Sequence, residues 1–234
     1  MSVVGASTDS SQDSHNTRLA AVIPAFNEER SIEAVVRQVS KRALAIVVDD
    51  GSTDDTAVLA RAVGALVVSH SKNRGYDGAL ETGLRTAIAL GCTFAVTMDA
   101  DGQHDSTLLD RFGVELEAGA DLVVGHRDRT QRWSETIFCV VGSAIWGLHD
   151  PLCGMKGYRL SNLANFENIN TYPSIGTELA IRMVIEGVRV SQHKIKTRQR
   201  DGISRFGGGL NANLRICKAL WLGLTRVRRS EISS

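Results

Sequence analysis

The chain has 234 residues, 43% hydrophobic and 23% charged, with a formal net charge of +1; these proportions exclude a disordered chain, a collagen and a coiled coil and fit one globular domain. No run of ~18 apolar residues occurs, so no helix is expected to span a bilayer; the longest nearly apolar stretch, Ile137 to Leu148, is too short. The small net charge conceals an asymmetry: ten Lys and Arg against one acid, Asp201, lie between Lys194 and Arg229, which leaves the rest of the chain at −8. Such a basic block points to an anionic partner, or else to a solvated basic face.

Residues 1–18, rich in Ser, Asp and Asn, read as a disordered polar tail and lack the profile of a signal peptide. Leu19–Pro24 is expected as a buried strand, and Glu29–Val39 as a helix with Ile32, Val35, Val36 and Val39 on one face. Ala45–Asp49, Ala65–Ser69, Thr93–Asp99 and Asp121–Gly125 read as further strands. Asp54–Val63, Ala79–Leu90 (ended by Gly91) and Leu108–Ala118 read as the helices between them. Fully apolar strands of about five residues alternating with helices predict a parallel sheet covered on both faces, an α/β fold of the doubly wound type. After Asp128 the rhythm changes. Thr136–Gly147 and Thr177–Glu186 look helical, Gly154–Leu160 and Gly187–Lys196 extended, and a Gly-rich loop, Gly202–Gly209, precedes a last helix from Leu210. The organisation expected is a tail over 1–18, one α/β domain over 19–209 and a basic amphipathic helix in 210–234. Cys92, Cys139, Cys153 and Cys217 match neither a metal knuckle nor a disulfide frame, so reduced thiols in a cytoplasmic protein are expected.

Ligands of open α/β sheets bind beyond the carboxyl ends of the strands, and there the acids accumulate: Ala25–Glu29, Asp49–Asp54, Asp99–His104 and His126–Asp128. No GxGxxG follows the first strand, and neither a GxxxxGK[ST] loop nor a GxSxG elbow occurs, which argues against dinucleotide, P-loop and hydrolase chemistry. Asp99 and Asp101, two apart on a tight turn, are either turn-forming aspartates or ligands of a hard divalent cation, to which the Gln103 amide oxygen can add.

VIPAFNEE (Val22–Glu29), VVDDGSTDDT (Val47–Thr56), MDADGQH (Met98–His104) and VGHRD (Val124–Asp128) occur in this order at strand ends. Together they resemble the inverting nucleotide-sugar glycosyltransferases of family 2, with the GT-A fold, a single α/β domain around a mainly parallel sheet. Dolichyl- and polyprenyl-phosphate mannosyltransferases look most similar, and the resemblance runs from about Leu19 to Phe206. It implies that Pro24, Phe26 and Glu28 hold the nucleoside, Phe26 against the base and Glu28 on ribose hydroxyls. Val48 and Asp50 would complete that pocket. Asp99, Ala100, Asp101 and Gln103 would line the diphosphate, with Asp99, Asp101 and Gln103 as the metal side of a Mg²⁺ or Mn²⁺ site, and Arg127 would approach diphosphate or sugar.

The stretch His149–Arg159 is similar to the family's acceptor-side Asp-x-x-x-Gly-Phe-Arg; Asp150 there is either an acceptor-orienting base or a turn cap before Pro151. Glu178, at a helix start, reads as structural. Arg198–Phe206 is similar to a phosphate-gripping Arg-x-x-Gly-x-Ser-Lys loop. It departs from that pattern at Gln199, so Arg198 or Arg200 must substitute, and at Arg205, which replaces a point charge by a bidentate fork. Tyr76 and Asp77 also stand where relatives carry small or basic residues.

In the last helix Leu210, Leu214, Cys217, Trp221 and Leu224 form a stripe flanked by Arg215, Lys218, Arg226, Arg228 and Arg229. Such a helix lies in a membrane interface, packs on the catalytic domain or meets a partner subunit of a homo-oligomer. The expected activity is metal-dependent inverting transfer from GDP-mannose or a UDP-sugar to a polyprenyl phosphate or a glycan, in the cytoplasm or peripherally on the cytoplasmic membrane face, with no nucleic-acid partner. The alternatives are a nucleotidyltransferase acting on sugar phosphates and a non-catalytic nucleotide-sugar binder. The first should carry a basic Gly-rich loop after strand one, which Ala25–Glu29 lacks; intact Asp99, Asp101 and Gln103 argue against the second.

Overall fold

The computed structural model describes residues 18–128, 130, 132–164, 166–196 and 210–226. Seven strands form one sheet: β1 (Leu19–Ala25), β2 (Leu44–Asp49), β3 (Leu66–Ser69), β4 (Phe94–Thr97), β5 (Leu122–Arg127), β6 (Lys156–Arg159) and β7 (Val190–Ile195). Their order is β3-β2-β1-β4-β6-β5-β7. β1 pairs in parallel with β2 and β4, as β2 does with β3 and β5 with β7. β6 runs against both its neighbours. Side chains alternate across the sheet, so Ala20 and Val22 enter one apolar layer while Ala21 and Ile23 enter the other. α1 (Ile32–Val39), α2 (Thr56–Ala62) and α4 (Leu108–Glu117) cover the second layer. α3 (Gly75–Ala89), α5 (Trp133–Trp146), the short α6 (Leu160–Leu163), α7 (Glu178–Ile185) and α8 (Leu210–Arg226) cover the first.

The expected strands and crossover helices are all present; several boundaries are moved, two of them for identifiable reasons. β4 ends at Thr97 rather than Asp99, because the chain leaves the sheet there. α3 begins at Gly75 rather than Ala79, because Asp50 caps it: the N–H groups of Arg74 and Gly75 each donate to its carboxylate at 2.8 Å. The four cysteines are free thiols, and burial pushes that of Cys153 up to about 12.

α8 packs on the domain, one of the placements the sequence leaves open. Its inner face is Ala212, Ile216, Ala219 and Leu222, buried beside α5. Of the stripe noted in the sequence, Leu214 and Trp221 stand on the outer face, 65% and 62% exposed, while Leu224 packs partly buried against the core. The helix is apolar around most of its circumference, so the larger side chains concealed a second ladder built on alanines. Among the described residues no helix is long and apolar enough to cross a membrane.

The sheet opens between β1 and β4. Leu19–Val22 pair with Phe94–Thr97, but β1 continues beside β2 to Ala25 after β4 has left. Pro24, which has no N–H to offer, stands where that pairing has ended. Successive connections from β1 diverge on either side of this point, and crevices of this kind receive ligands in open α/β sheets.

Candidate functional site

A cavity of about 1620 Å³ fills the crevice. Of the residues expected to bind donor, it brings together Pro24, Phe26, Glu28, Asp50, Asp99 and Asp101. Phe26, 41% exposed, presents a ring to the opening.

The loop carrying Phe26 and Glu28 is held by side chains that sequence reasoning left without a role. Asn27 adopts a positive φ of 54°, which Asn tolerates better than most residues. Its N–H donates to Ser52 Oγ at 3.0 Å and its Oδ1 accepts from Thr53 N–H at 2.9 Å. The Glu28 N–H donates to Thr56 Oγ1 at 2.8 Å, and that of Glu29 to Asp54 Oδ2 at 3.2 Å. Burial raises the Asp54 pKa, but the hydrogen bonds from Thr56 and Glu29 outweigh it and leave the group below its ordinary value. The Asn-Glu and Ser-Thr-Asp-Asp-Thr segments are thus two halves of one scaffold joining the ends of β1 and β2.

Asp50 lines the cavity, but most of its acceptor capacity serves the fold: His70 Nδ1 lies 2.7 Å from Oδ1 in addition to the two α3 amides. A carboxylate has about four acceptor directions, so one is left for a ligand. Val48 and Ala100 are instead core residues at 0% exposure, and the Val48 side chain faces Gly83 of α3.

At the opposite wall the chain turns sharply at Gly102 (φ +74°), a conformation glycine adopts without steric cost. The turn sets Asp99 and Asp101 on the cavity, with the Gln103 N–H donating to Asp101 Oδ1 at 3.0 Å. Asp99 Oδ1 accepts from Tyr76 Oη–H, and Oδ2 lies by His104 Nε2, both at 3.4 Å. Gly154 backs the carboxylate: a Cβ there would sit 2.5 Å from Asp99 Oδ2. Lys156 is buried beside this wall with its ammonium on the Cys153 carbonyl, and burial lowers its pKa. His104 and Lys156 were both missed as wall-builders, though each lies inside a quoted motif.

Among the described residues, seven carboxylates (Glu28, Glu29, Asp50, Asp54, Asp77, Asp99, Asp101) line the cavity against three cations, Arg30, Arg215 and Lys218. Among the described residues no cluster of three His, Cys, Asp or Glu side chains suffices to hold a metal ion. Asp99 and Asp101 offer hard oxygens, and buried His104 has an Nδ1 without a hydrogen-bond partner at the same wall. This set fits a divalent cation whose other ligands arrive with a polyanionic substrate.

Arg127 and Asp150 do not line the cavity; they meet each other. Arg127 Nε and one Nη donate to the two carboxylate oxygens at 2.7 and 3.1 Å, and its N–H adds a third bond at 3.1 Å. Glu135 lies 3.4 Å from the same guanidinium and 3.0 Å from Arg132. Burial raises the Asp150 pKa, yet the hydrogen bonds and charge of Arg127 overcome this and hold it below the usual carboxylate range. A base with a depressed pKa and both oxygens engaged is a poor proton acceptor, so the base reading of Asp150 does not fit this geometry. A depressed carboxylate stabilises the fold above its unfolded pKa of about 3.9, and this contribution is lost as pH falls through its lower folded value. The stability advantage of the wild type over Asp150→Asn, read from urea melts, is therefore expected to be constant at neutral pH and to shrink below about pH 4.

Other motif residues also serve the framework. Asp77 accepts from the backbone N–H groups of Ser174, Ile175 and Gly176, holding Ile175 at a φ of 52° on the cavity wall. Glu178 pins Thr171 and Tyr172, as a structural role predicts. Arg159 ties β6 to Asp121 and to the α4 carbonyls. Arg198, Arg200 and Arg205 lie outside the described residues.

The family model for glycosyl transferase family 2 matches residues 20–136, which contain the Phe26–Glu28 loop and the Asp99–Gly102 turn of the cavity. A glycosyltransferase of Mycobacterium tuberculosis is 31% identical over 87% of this chain and 96% of its own length. The dolichyl-phosphate hexose transferase of Haloferax volcanii is 31% identical over 82% of this chain and 89% of its own. Among solved structures, glucosyl-3-phosphoglycerate synthase of M. tuberculosis, in complex with Mn²⁺, UDP and phosphoglyceric acid, superimposes with a TM-score of 0.75 at 23% identity, covering 91% and 79% of the two chains. With the Phe26–Glu28 loop and the Asp99–Gly102 turn inside the matched span and relatives aligned over nearly their whole length, this chain belongs to glycosyl transferase family 2.

Proposed function

We propose that the protein transfers a hexose, with inversion, from a nucleoside-diphosphate sugar of the GDP-mannose or UDP-sugar kind to a polyprenyl phosphate, using Mg²⁺ or Mn²⁺. The observation that carries this is the excess, among the described residues, of seven carboxylates over three cations around the cavity: a diphosphate meets such a wall favourably with a cation to bridge it. The Haloferax relative acts on dolichyl phosphate by its name, and the mycobacterial synthase was crystallised with Mn²⁺ and UDP, in support of both halves of the reading. Asp99 and Asp101, with the nearby Gln103 amide, would hold the cation, which would supply charge neutralisation for the leaving group.

The residues divide the work. Phe26 offers its exposed ring to the base; Glu28 accepts from ribose hydroxyls beside Pro24, and Asp50 contributes its one remaining acceptor direction. Gly154, by lacking a Cβ, lets Asp99 stand where the diphosphate arrives. In this reading Arg198, Arg200 and Arg205 complete the grip on phosphate, and Arg127 orders the wall through Asp150. A phosphate acceptor is already ionised at pH 7, whereas a glycan hydroxyl needs a base. The engagement of Asp150 by Arg127 favours the phosphate. Its acceptor then places the enzyme peripherally at the cytoplasmic membrane face.

Gly154→Ala is expected to displace the Asp99 carboxylate and cut turnover by on the order of 10²-fold, as misplacing one reacting-site contact does, with far-UV circular dichroism unchanged. The reading itself is tested by mass spectrometry of reactions containing Mn²⁺, a short-chain polyprenyl phosphate and GDP-mannose or UDP-hexoses. One added hexose per acceptor with stoichiometric nucleoside diphosphate is expected. Transfer to glycan hydroxyls alone would overturn the acceptor.

A further inference from the structure

We propose that α5 and α8 together form a platform that lies on a bilayer containing anionic lipids. The two helices run side by side in the same direction. Ser134 Oγ, at the start of α5, donates to Asn213 Oδ1 near the start of α8, and Gly223 lies against Trp146 where both end. Their inner faces, Phe138 and Trp146 on α5 and Ile216, Ala219 and Leu222 on α8, enter the same core layer. Their outer faces therefore share one surface. On it stand Trp133, Ile137 and Val140, spaced four and three, and Leu214 and Trp221, spaced seven, all between 46% and 65% exposed. Tryptophan near both ends of an apolar strip suits the boundary between headgroups and acyl chains.

Charge selects the occupant. α8 contains no acidic residue, and its exposed Arg215 and Lys218 sit between the strip and the cavity they line. The one carboxylate of α5, Glu135, is buried and paired with Arg127 and Arg132. The surface thus offers cations and apolar groups but no exposed anion. A second copy facing it across a two-fold axis would bring like charges together without a counter-charge, whereas anionic headgroups complete it. Because Arg215 and Lys218 join strip and cavity, a chain docked this way brings its cavity to the lipid surface; this deepens the acceptor reading above and rests on it only for its purpose.

The test is co-sedimentation of the full chain with vesicles of phosphatidylcholine alone or mixed with phosphatidylglycerol. Wild type is expected to bind the mixed vesicles, with tryptophan emission shifting to the blue and binding weakening in salt. The Val140→Asp/Leu214→Asp variant changes two exposed positions outside the cavity. It is expected to bind at least tenfold more weakly, with an unchanged melting temperature and unchanged transfer to a short, water-soluble phosphate acceptor. Wild type that ignores anionic vesicles, or a variant that binds as well as wild type, would overturn the platform. So would a wild-type dimer that the two substitutions split, since the occupant is then a second copy. Vesicle binding without transfer to any polyprenyl phosphate leaves the platform standing and removes the acceptor reading; transfer without vesicle binding does the reverse.

Discussion

Asp101→Ala is expected to abolish Mn²⁺-dependent binding of nucleoside diphosphate and to lower turnover by about 10³-fold or more, the scale of losing an electrostatic contact made to a developing charge. Asp101 sits on the turn at Gly102, where its carboxylate lines the cavity and accepts the Gln103 N–H. Little core packing depends on it, so the melting temperature should change by no more than a few degrees, as for a substitution outside the core. Calorimetric titration with GDP and UDP in Mn²⁺, alongside a thermal melt, separates the two effects. A variant that keeps metal-dependent binding would remove Asp101 from the cation site.

Asp150→Ala is expected to act in the opposite way, on stability. It leaves the Arg127 guanidinium, 17% exposed, without the carboxylate that it contacts twice and that also accepts the Arg127 backbone N–H. Removing one partner of a buried pair costs about 3–5 kcal/mol, which for a chain of this size lowers the melting temperature by on the order of 10 °C. Glu135, 3.4 Å away, softens the loss and puts it at the lower end. Donor affinity per folded molecule should survive, because neither Arg127 nor Asp150 lines the cavity. A stable variant with lost turnover would instead return Asp150 to catalysis.

Most of the fold is legible in the sequence because its strands are short, wholly apolar and separated by helices. Ala20–Ile23 and Ala45–Val48 can only be central strands buried on both faces. The reversal of β6 is not legible, since Lys156–Arg159 carries no mark of strand direction; its neighbours decide that. The sequence leaves the placement of α8 open because Leu and Trp outweigh alanine in any hydrophobic reading, so the buried ladder through Ala212, Ile216 and Ala219 does not stand out. Within the site, acids at strand ends locate the cavity correctly. What they do not distinguish is a carboxylate facing substrate from one capping a helix. Asp50 and Asp101 look alike in sequence, yet Asp50 holds the start of α3 while Asp101 lines the cavity beside its own turn. Asn27, Thr56 and Gly154 act through backbone geometry and close approach, which need tertiary contacts to be seen.

The central claim is that the acidic wall accepts a nucleoside diphosphate through a divalent cation, and calorimetric titration of the wild type tests it most directly. GDP or UDP is added to the full chain in Mn²⁺, and again after EDTA. Saturable one-to-one binding in Mn²⁺ that weakens at least a hundredfold in EDTA is the result predicted from the seven carboxylates that face three cations among the described residues. Equal affinity with and without the metal would contradict it.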